Sequence, residues 1–351
     1  MEYLPSDHIR FSESRTTVVF LNQAALPNHV EWKQTADRQE MYDAIKKLEV
    51  RGAPAIGIFA AYCLAVLAKN YPISDIVGFG QRFHEDAQFL VSSRPTAVNL
   101  SWATGRMENV FLNTASLGLD RVKAALDEEA LRIHEEDIGM CSRIAENGLS
   151  LLRAGDGILT HCNAGPLATS RYGTALGPIL LGQERGYNFH VYADETRPLL
   201  QGARLTAFEL SNAGVDTTLI CDNMAGLAMR QGKIQAVLVG CDRVARNGDM
   251  ANKIGTSQVA VLAAFYQIPF YVCCPASTFD GNIATGNDII IEERDPEEIR
   301  SLYYKEPMAP MGVKCFNPAF DVTDHRLVSA YITDRGVIRP PFNENLASTF
   351  T

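Results

Sequence analysis

The chain has 351 residues, more than a single hydrophobic core comfortably fills, so two domains are expected. Its 46% hydrophobic and 21% charged residues are those of an ordinary globular protein. A net charge of −9, with no basic run, argues against a nucleic-acid partner, because neutralising phosphates takes clustered cations.

The opening "MEYLPSDHIRF" lacks the cationic start and apolar core of a secretory signal, and a cytoplasmic protein is expected. "TTVVFLNQ" and "HVEWKQT" predict a short hairpin, and "DRQEMYDAIKKLEV" has apolar residues at helical spacing. "GAPAIGIFAAYCLAVLA", residues 52–68, is slightly short for a bilayer and rich in Ala and Gly. It reads as a helix packed inside a domain, and no membrane association is expected. The amphipathic stretch from Gly118 to Leu152 predicts a long helix bridging to the second half of the chain. Residues 1–138 are therefore assigned to a smaller, mainly helical N-terminal domain carrying a short antiparallel sheet.

From about residue 155 the pattern changes. Apolar runs "DGILTHC", "NFHVYADE", "DTTLICDN", "AVLVGCD" and "IPFYVCCP" are separated by segments of helical character. Continuous apolar strands with helices between them predict a parallel sheet covered on both faces, a Rossmann-like α/β domain over residues 139–351. Ligands of such sheets bind beyond the carboxyl ends of the strands. The residues there are Cys162, Asp194-Glu195, Asp222 and Asp242. Any one carboxylate could simply cap a helix; several at one edge favour a site. No GxGxxG follows the first strand and no GxxxxGK[ST] occurs, which disfavours dinucleotide and P-loop enzymes.

The eight cysteines show no CxxC spacing, and His134 and His161 lack partners at ligand spacing. Buried free thiols and no metal site are expected. "EVRGAPAIG" sets Arg51 and Gly52 before a helix start with Pro54 at its first position, and "SSRPTAVNLSW" sets Arg94 in a similar pre-proline turn. Either arginine alone could be a surface charge; together, at helix N-termini, they suggest phosphate. "THCNAGPLATS" takes Cys162 from a strand into a helix start, where a thiol pKa can fall; the alternative is a small buried filler. In "DETRPLLQGARLTAFEL" the side chain of Gln201, one turn into a helix, can reach a sugar hydroxyl. "AVLVGCDRVARNGDMANKIGT" reads as a buried strand, then Asp242-Arg243, a polar glycine loop and a helical run from about Lys253.

"RGAPAIG", "SSRPTAVNL", "CNAGPLATSRYGTAL", "ETRPLLQGARLT" and "DRVARNGDMANKIGT" resemble, in order and separation, the methylthioribose-1-phosphate isomerase family. "STFD", "IEERDPEE" and "NPAFDVT" extend the resemblance over nearly the whole chain. That family is related to the regulatory subunits of eukaryotic initiation factor 2B and to archaeal ribose-1,5-bisphosphate isomerase. The resemblance implies a cofactor-free, homodimeric aldose–ketose isomerase of methionine salvage acting on a sugar phosphate. It places Cys162 and Asp242 on the catalytic pair and Arg51, Gly52, Ala53, Arg94, Gln201, Asn252 and Lys253 on substrate-binding positions. Cys241 and Asp194 depart from the family's commoner alanine and cysteine, which leaves room for altered preference at the substrate's C5 substituent.

The chemistry sets a condition on Asp242. An anomeric oxygen that carries phosphate prevents ring opening to a free aldehyde, so an acid must protonate the ring oxygen. A carboxylic acid keeps its proton near neutrality only when its pKa is raised, and burial beyond "AVLVGC" is expected to do that. Arg243 is expected to point away. Cys162 either takes the C2 proton as thiolate or stabilises a hydride shift. With Arg51 and Arg94 in one domain and Cys162 and Asp242 in the other, a shared substrate implies a site between domains.

Overall fold

The computed structural model describes residues 8–95 and 97–350. The N-terminal stretch as far as Asp7, inspected for a secretory signal, lies outside the described residues, as does Thr96 of the second arginine motif. The fold is mixed α/β, with a helical N-terminal region and a large, mainly parallel sheet. The chain divides into two compact units, residues 2–139 with 166–171, and residues 140–165 with 172–351.

The N-terminal unit opens with β1 (Ile9–Phe11), β2 (Val18–Leu21) and β3 (Trp32–Thr35). They form an antiparallel sheet in that order, with Ile9 opposite Phe20 and Val18 opposite Thr35. Then come α1 (Arg38–Lys46), α2 (Ala53–Lys69), α3 (Ile76–Ser92), α4 (Val98–Thr114) and α5 (Leu119–Leu149), the last running on into the second unit. Helix α2 is buried on every side from Ala55 to Ala68, which explains its uniformly apolar sequence. Among the described residues no helix is long and apolar enough to cross a membrane. Helix α2 starts at Ala53, so Pro54 takes its second position rather than its first.

In the second unit β4 (Gly157–His161), β5 (His190–Asp194), β6 (Asp216–Ile220), β7 (Ala236–Val239), β10 (Phe270–Cys273), β13 (Ala330–Thr333) and β14 (Gly336–Ile338) form one seven-stranded sheet. Its order is β14-β13-β10-β7-β4-β5-β6, parallel throughout except for the β13–β14 hairpin. Alternate residues of one strand enter opposite cores: Ile158 and Leu238 face α6 (Gly177–Glu184) and α7 (Ala207–Asn212), while Leu159 and Val237 face α8 (Ala225–Arg230) and α9 (Thr256–Phe265). Both central faces are covered, which is why these strands are apolar throughout. Edge strand β6 differs: Asp216, Thr218 and Leu219 are exposed.

A second sheet had no counterpart in the expectation. β8 (Arg243–Ala245) and β9 (Met250–Lys253) make a hairpin, flanked by β11 (Phe279–Asp280) and β12 (Phe320–Thr323) in the order β11-β8-β9-β12. The polar glycine loop after Asp242 is this hairpin, turning at Gly248 with φ +91°. The following helix starts at Thr256 rather than Lys253, because Gly255 before it has φ +101°, outside the helical region. Two short helices, α10 (Glu297–Arg300) and α11 (Phe342–Phe350), complete the chain.

Candidate active site

Cys162 follows the last residue of β4 and takes φ +66°, a conformation costly for a residue with a Cβ. The surroundings hold it there. Its N–H donates to Thr196 Oγ1 at 2.9 Å, and its carbonyl accepts from Thr206 Oγ1 at 2.6 Å. Thr196 itself has φ +65°, its N–H donates to Asp222 Oδ1 and its hydroxyl to the Asp194 carbonyl. Next to Cys162, buried Asn163 donates to Glu209 Oε2 at 2.5 Å. The thiol is half-buried. The helix start expected to activate it is absent: Cys162 leads into a single tight turn, Pro166–Ala168, and the next α-helix begins only at Gly177.

The acids at the strand ends have different partners. Asp222 accepts the N–H groups of Thr196 and Arg197, both at 2.7 Å, and so holds the turn after β5. Asp194 is fully buried against His161. Asp242 is exposed. The expected burial of this acid by its strand end is therefore corrected: the chain turns outward after Cys241, and the Asp242 N–H pairs with the Ala251 carbonyl at 2.9 Å. Arg243 is held by Asp280, with Nη1 2.6 Å from Oδ2.

That Asp242–Ala251 bond brings the next two residues of β9, Asn252 and Lys253, to the same strand end. Asn252 is buried and donates to Thr256 Oγ1 at 3.0 Å. Lys253 Nζ donates to the Ala319 carbonyl at 2.9 Å and lies 4.4 Å from the centre of the Phe320 ring. Gln201 is buried at the entry to a wide helical turn, Gly202–Thr206. Its Oε1 has no hydrogen-bond partner, an acceptor left for a ligand hydroxyl or water.

Arg51, Gly52, Ala53 and Arg94 belong to the N-terminal unit. Gly52 is the N-cap of α2 with φ +97°, and a Cβ there would lie 2.3 Å from the Ala168 carbonyl oxygen, so only glycine fits. Gly57 also approaches Asn99, though less closely: a Cβ would sit 2.8 Å from its carbonyl oxygen. This contact joins the first turns of α2 and α4, which sets the Arg51 and Arg94 segments at one end of the unit. Neither helix start has a side-chain cap, and such N–H groups favour an anion.

Among the described residues, two groups of side chains have the composition of a metal site, His161 with Asp194 and Asp222, and His325 with Asp249 and Asp324. In the first, both ring nitrogens of His161 already face protein oxygens, leaving no lone pair for a metal. In the second, His325 Nδ1 is 2.7 Å from Asp249 Oδ1, while Asn247 and Gly286 donate to Asp249 Oδ2. These hydrogen bonds join three loops, and they hold the Asp249 carboxyl below its usual range despite its burial. The roles of Thr196, Thr206 and His161 are not legible in the sequence, because their contacts with Cys162, Cys162 and Ile254 span 34, 44 and 93 residues.

The chain belongs to the Initiation factor 2 subunit family, which matches residues 49–340. It is 55% identical over 329 residues to a methylthioribose-1-phosphate isomerase of Parabacteroides distasonis, covering 94% of this chain and 98% of that one. A 5-deoxyribose 1-phosphate isomerase of Clostridium botulinum is 52% identical, covering 97% and 98%. The crystal structure of 5-methylthioribose 1-phosphate isomerase from Pyrococcus horikoshii superposes with a TM-score of 0.94 at 41% identity, covering 99% and 96%.

Proposed function

We propose that the chain is an aldose–ketose isomerase that converts 5-methylthioribose 1-phosphate to 5-methylthioribulose 1-phosphate in methionine salvage. The observation that carries this is the near-full-length likeness to isomerases of that name. Cys162 and Asp242 are the catalytic pair of the proposal, and no cofactor enters it. Arg51, Gly52, Ala53 and Arg94 bind the 1-phosphate with Lys253, while Gln201 and Asn252 meet the sugar hydroxyls. The strained, doubly tethered backbone at Cys162 supports its part: a nucleophile or base acts best when held in place. The uncapped starts of α2 and α4 support the phosphate role.

Asp242 acts as the acid at the ring oxygen. Exposed in the free chain, it can deliver its proton to the ring oxygen once bound substrate excludes water from the carboxyl. Cys162 removes the C2 hydrogen as a proton and returns it to C1, or stabilises its shift to C1 as hydride, while the ring C1–O bond breaks. The C2 hydroxyl gives up its proton, which restores that of Asp242, and C2 becomes the carbonyl.

In this proposal residues 1–138 supply the anion anchor and a Rossmann-like domain, residues 139–351, supplies the chemistry. The enzyme is a cytoplasmic homodimer. Exposed Leu219, Met224 and Leu227 on and beside edge strand β6 support a self-association surface.

A second reading, 5-deoxyribose 1-phosphate as the preferred substrate, is favoured by the 52%-identical relative of that name. Both sugars end in an apolar C5 substituent. Purified protein incubated with each sugar phosphate, and with ribose 1,5-bisphosphate, decides the matter. Ketose from the methylthio sugar at the highest kcat/KM is expected. Ketose from none of the three would end the isomerase reading, and a preference for the deoxy sugar or the bisphosphate would replace the substrate.

A further inference from the structure

Immediately before Cys162, His161 is buried and has one partner for each ring nitrogen. Nδ1 lies 2.9 Å from Asp194 Oδ2 and Nε2 lies 2.9 Å from the Ile254 carbonyl oxygen. A carbonyl can only accept, so Nε2 carries hydrogen. The contact with Asp194 then holds one further proton, on the ring or on the carboxyl, and the pair is neutral overall in either placement. Burial opposes an imidazolium, yet the hydrogen bond and charge of Asp194 outweigh it and hold the His161 pKa above its ordinary value. Burial likewise pushes the Asp194 carboxyl up. The other carboxylates acting on the pair are Asp222, after β6, and Asp321 on β12. Glu195 adds to the field at Asp194.

The ring is also clamped by shape. A Cβ on Gly255 would lie 2.9 Å from His161 Cε1, so the chain passes against the imidazole where only glycine fits. Ile254, which accepts from Nε2, directly follows Asn252 and Lys253. Asp194, the other partner, uses its carbonyl to accept from the Thr196 hydroxyl, which in turn accepts from the Cys162 N–H. One imidazole therefore joins the strand end bearing Cys162 to the segment bearing Asn252 and Lys253.

We propose that His161 is a positioning residue for the isomerisation: its two hydrogen bonds, to Asp194 and to the Ile254 carbonyl, fix Asn252 and Lys253 relative to Cys162 without touching substrate. This rests on the isomerase function proposed for the chain. A side chain that can satisfy only one partner releases the other and lets the two segments drift apart. Since binding groups are the ones displaced, KM suffers more than kcat.

Two measurements test it. In the full-length protein with ¹⁵N-labelled histidine, His161 should show a protonated Nε2 and a hydrogen-bonded Nδ1, both unchanged from pH 6 to 9. A ring that titrates near its ordinary 6.5 overturns the bridge, whether or not the enzyme turns over the proposed substrate. In steady-state assays with 5-methylthioribose 1-phosphate, His161→Gln should raise KM by about tenfold or more and lower kcat by a smaller factor. Asp194→Asn guards against a His161 variant that fails to fold. Its amide can donate to Nδ1 and preserve the bond to Ile254, so its KM should rise by less than that of His161→Gln. Unchanged KM in a folded His161→Gln protein, or an Asp194→Asn variant whose KM rises as much, overturns positioning. If wild-type protein fails to isomerise the substrate, the function is wrong, and the NMR result still decides the bridge.

Discussion

Among the described residues two carboxylates are completely buried, Asp86 in the N-terminal unit and Asp194 in the C-terminal one, and they are treated in opposite ways. Asp86 lies in the middle of α3, with Oδ2 hydrogen-bonded and Oδ1 in an ion pair although without a well-aligned hydrogen bond. Tyr71 donates its hydroxyl to Oδ2 at 2.7 Å, Arg82 Nε reaches the same oxygen at 3.3 Å, and Arg38 pairs with Oδ1 at 2.5 Å. Asp194 has one partner, His161 on Oδ2, and its Oδ1 has none. Two residues beyond Asp194 the backbone of Thr196 is at positive φ, whereas Asp86 lies in regular helix. A buried charge surrounded by its own counterions is there for the fold. One left with an unused oxygen beside strained backbone is held by surroundings whose purpose is the neighbouring site. Exposed Asp242 is a third case, a carboxylate with no burial of its own.

The largest effect should come from that third case. Asp242→Asn removes the transferable proton and leaves an exposed side chain of the same size. Turnover should fall by about a thousandfold or more, with the unfolding transition unmoved. Comparable turnover in the variant would exclude Asp242 as the acid. Asp86→Ala should do the reverse. It strands Arg38 and the Tyr71 hydroxyl, and the loss should be about 3 kcal/mol of stability, toward the low end for a broken buried pair because Arg38 reaches solvent. kcat/KM measured well below the melting temperature should stay near wild type. A catalytic defect without loss of stability would break the contrast between the two buried acids. Arg94→Ala tests the anion anchor. One charge-assisted hydrogen bond is worth about 2 kcal/mol, so substrate and competing sulfate should each bind about thirtyfold more weakly. Unchanged sulfate affinity would remove Arg94 from the site.

What the sequence revealed and what it hid depend on how local each signal is. Strands β4, β5, β7 and β10 are apolar runs because two cores cover them, and helix α2 is apolar because it is enclosed. The β8–β9 hairpin was illegible. Its outer partners β11 and β12 come from residues 279–280 and 320–323, and a pairing so remote leaves no periodicity in "RVARNGDMANK". The helix expected over "ATSRYGTALGPILLGQER" is real only from Gly177 to Glu184. Tyr172 and Gly173 both have positive φ, and residues 166–171 associate with the N-terminal unit. Burial also failed to carry two residues further: Gly240 is covered, Cys241 is half-buried and Asp242 is exposed. Spacing gave His161 no partner, since its partners lie 33 and 93 residues away.

The smallest expected effect concerns a buried titratable group of the N-terminal unit that, unlike Asp86, has no counterion. His8 is buried just before β1, and neither ring nitrogen has a hydrogen-bond partner. Burial, reinforced by nearby His134, lowers its pKa from 6.5 to about 3. The folded protein therefore keeps His8 neutral at pH values where the unfolded chain protonates it. Its contribution to stability is intact above about pH 6.5 and is lost progressively as pH falls toward 3. Between pH 6.5 and 5.5 the loss should be about 1 kcal/mol. Carboxylates titrating at lower pH obscure the absolute curve, so the useful quantity is a difference. Urea unfolding of wild type and His8→Leu, each at pH 7.5, 6.5 and 5.5, should show the variant losing less stability over the last step. Protection factors of the β1 and β2 amides, taken relative to the intrinsic exchange rate at each pH, should fall on acidification in the wild type alone, because release of β1 exposes His8 to water. Parallel stability curves for the two proteins would mean that His8 takes up its proton in the folded state at an ordinary pH, with room for the charge that the buried environment denies it.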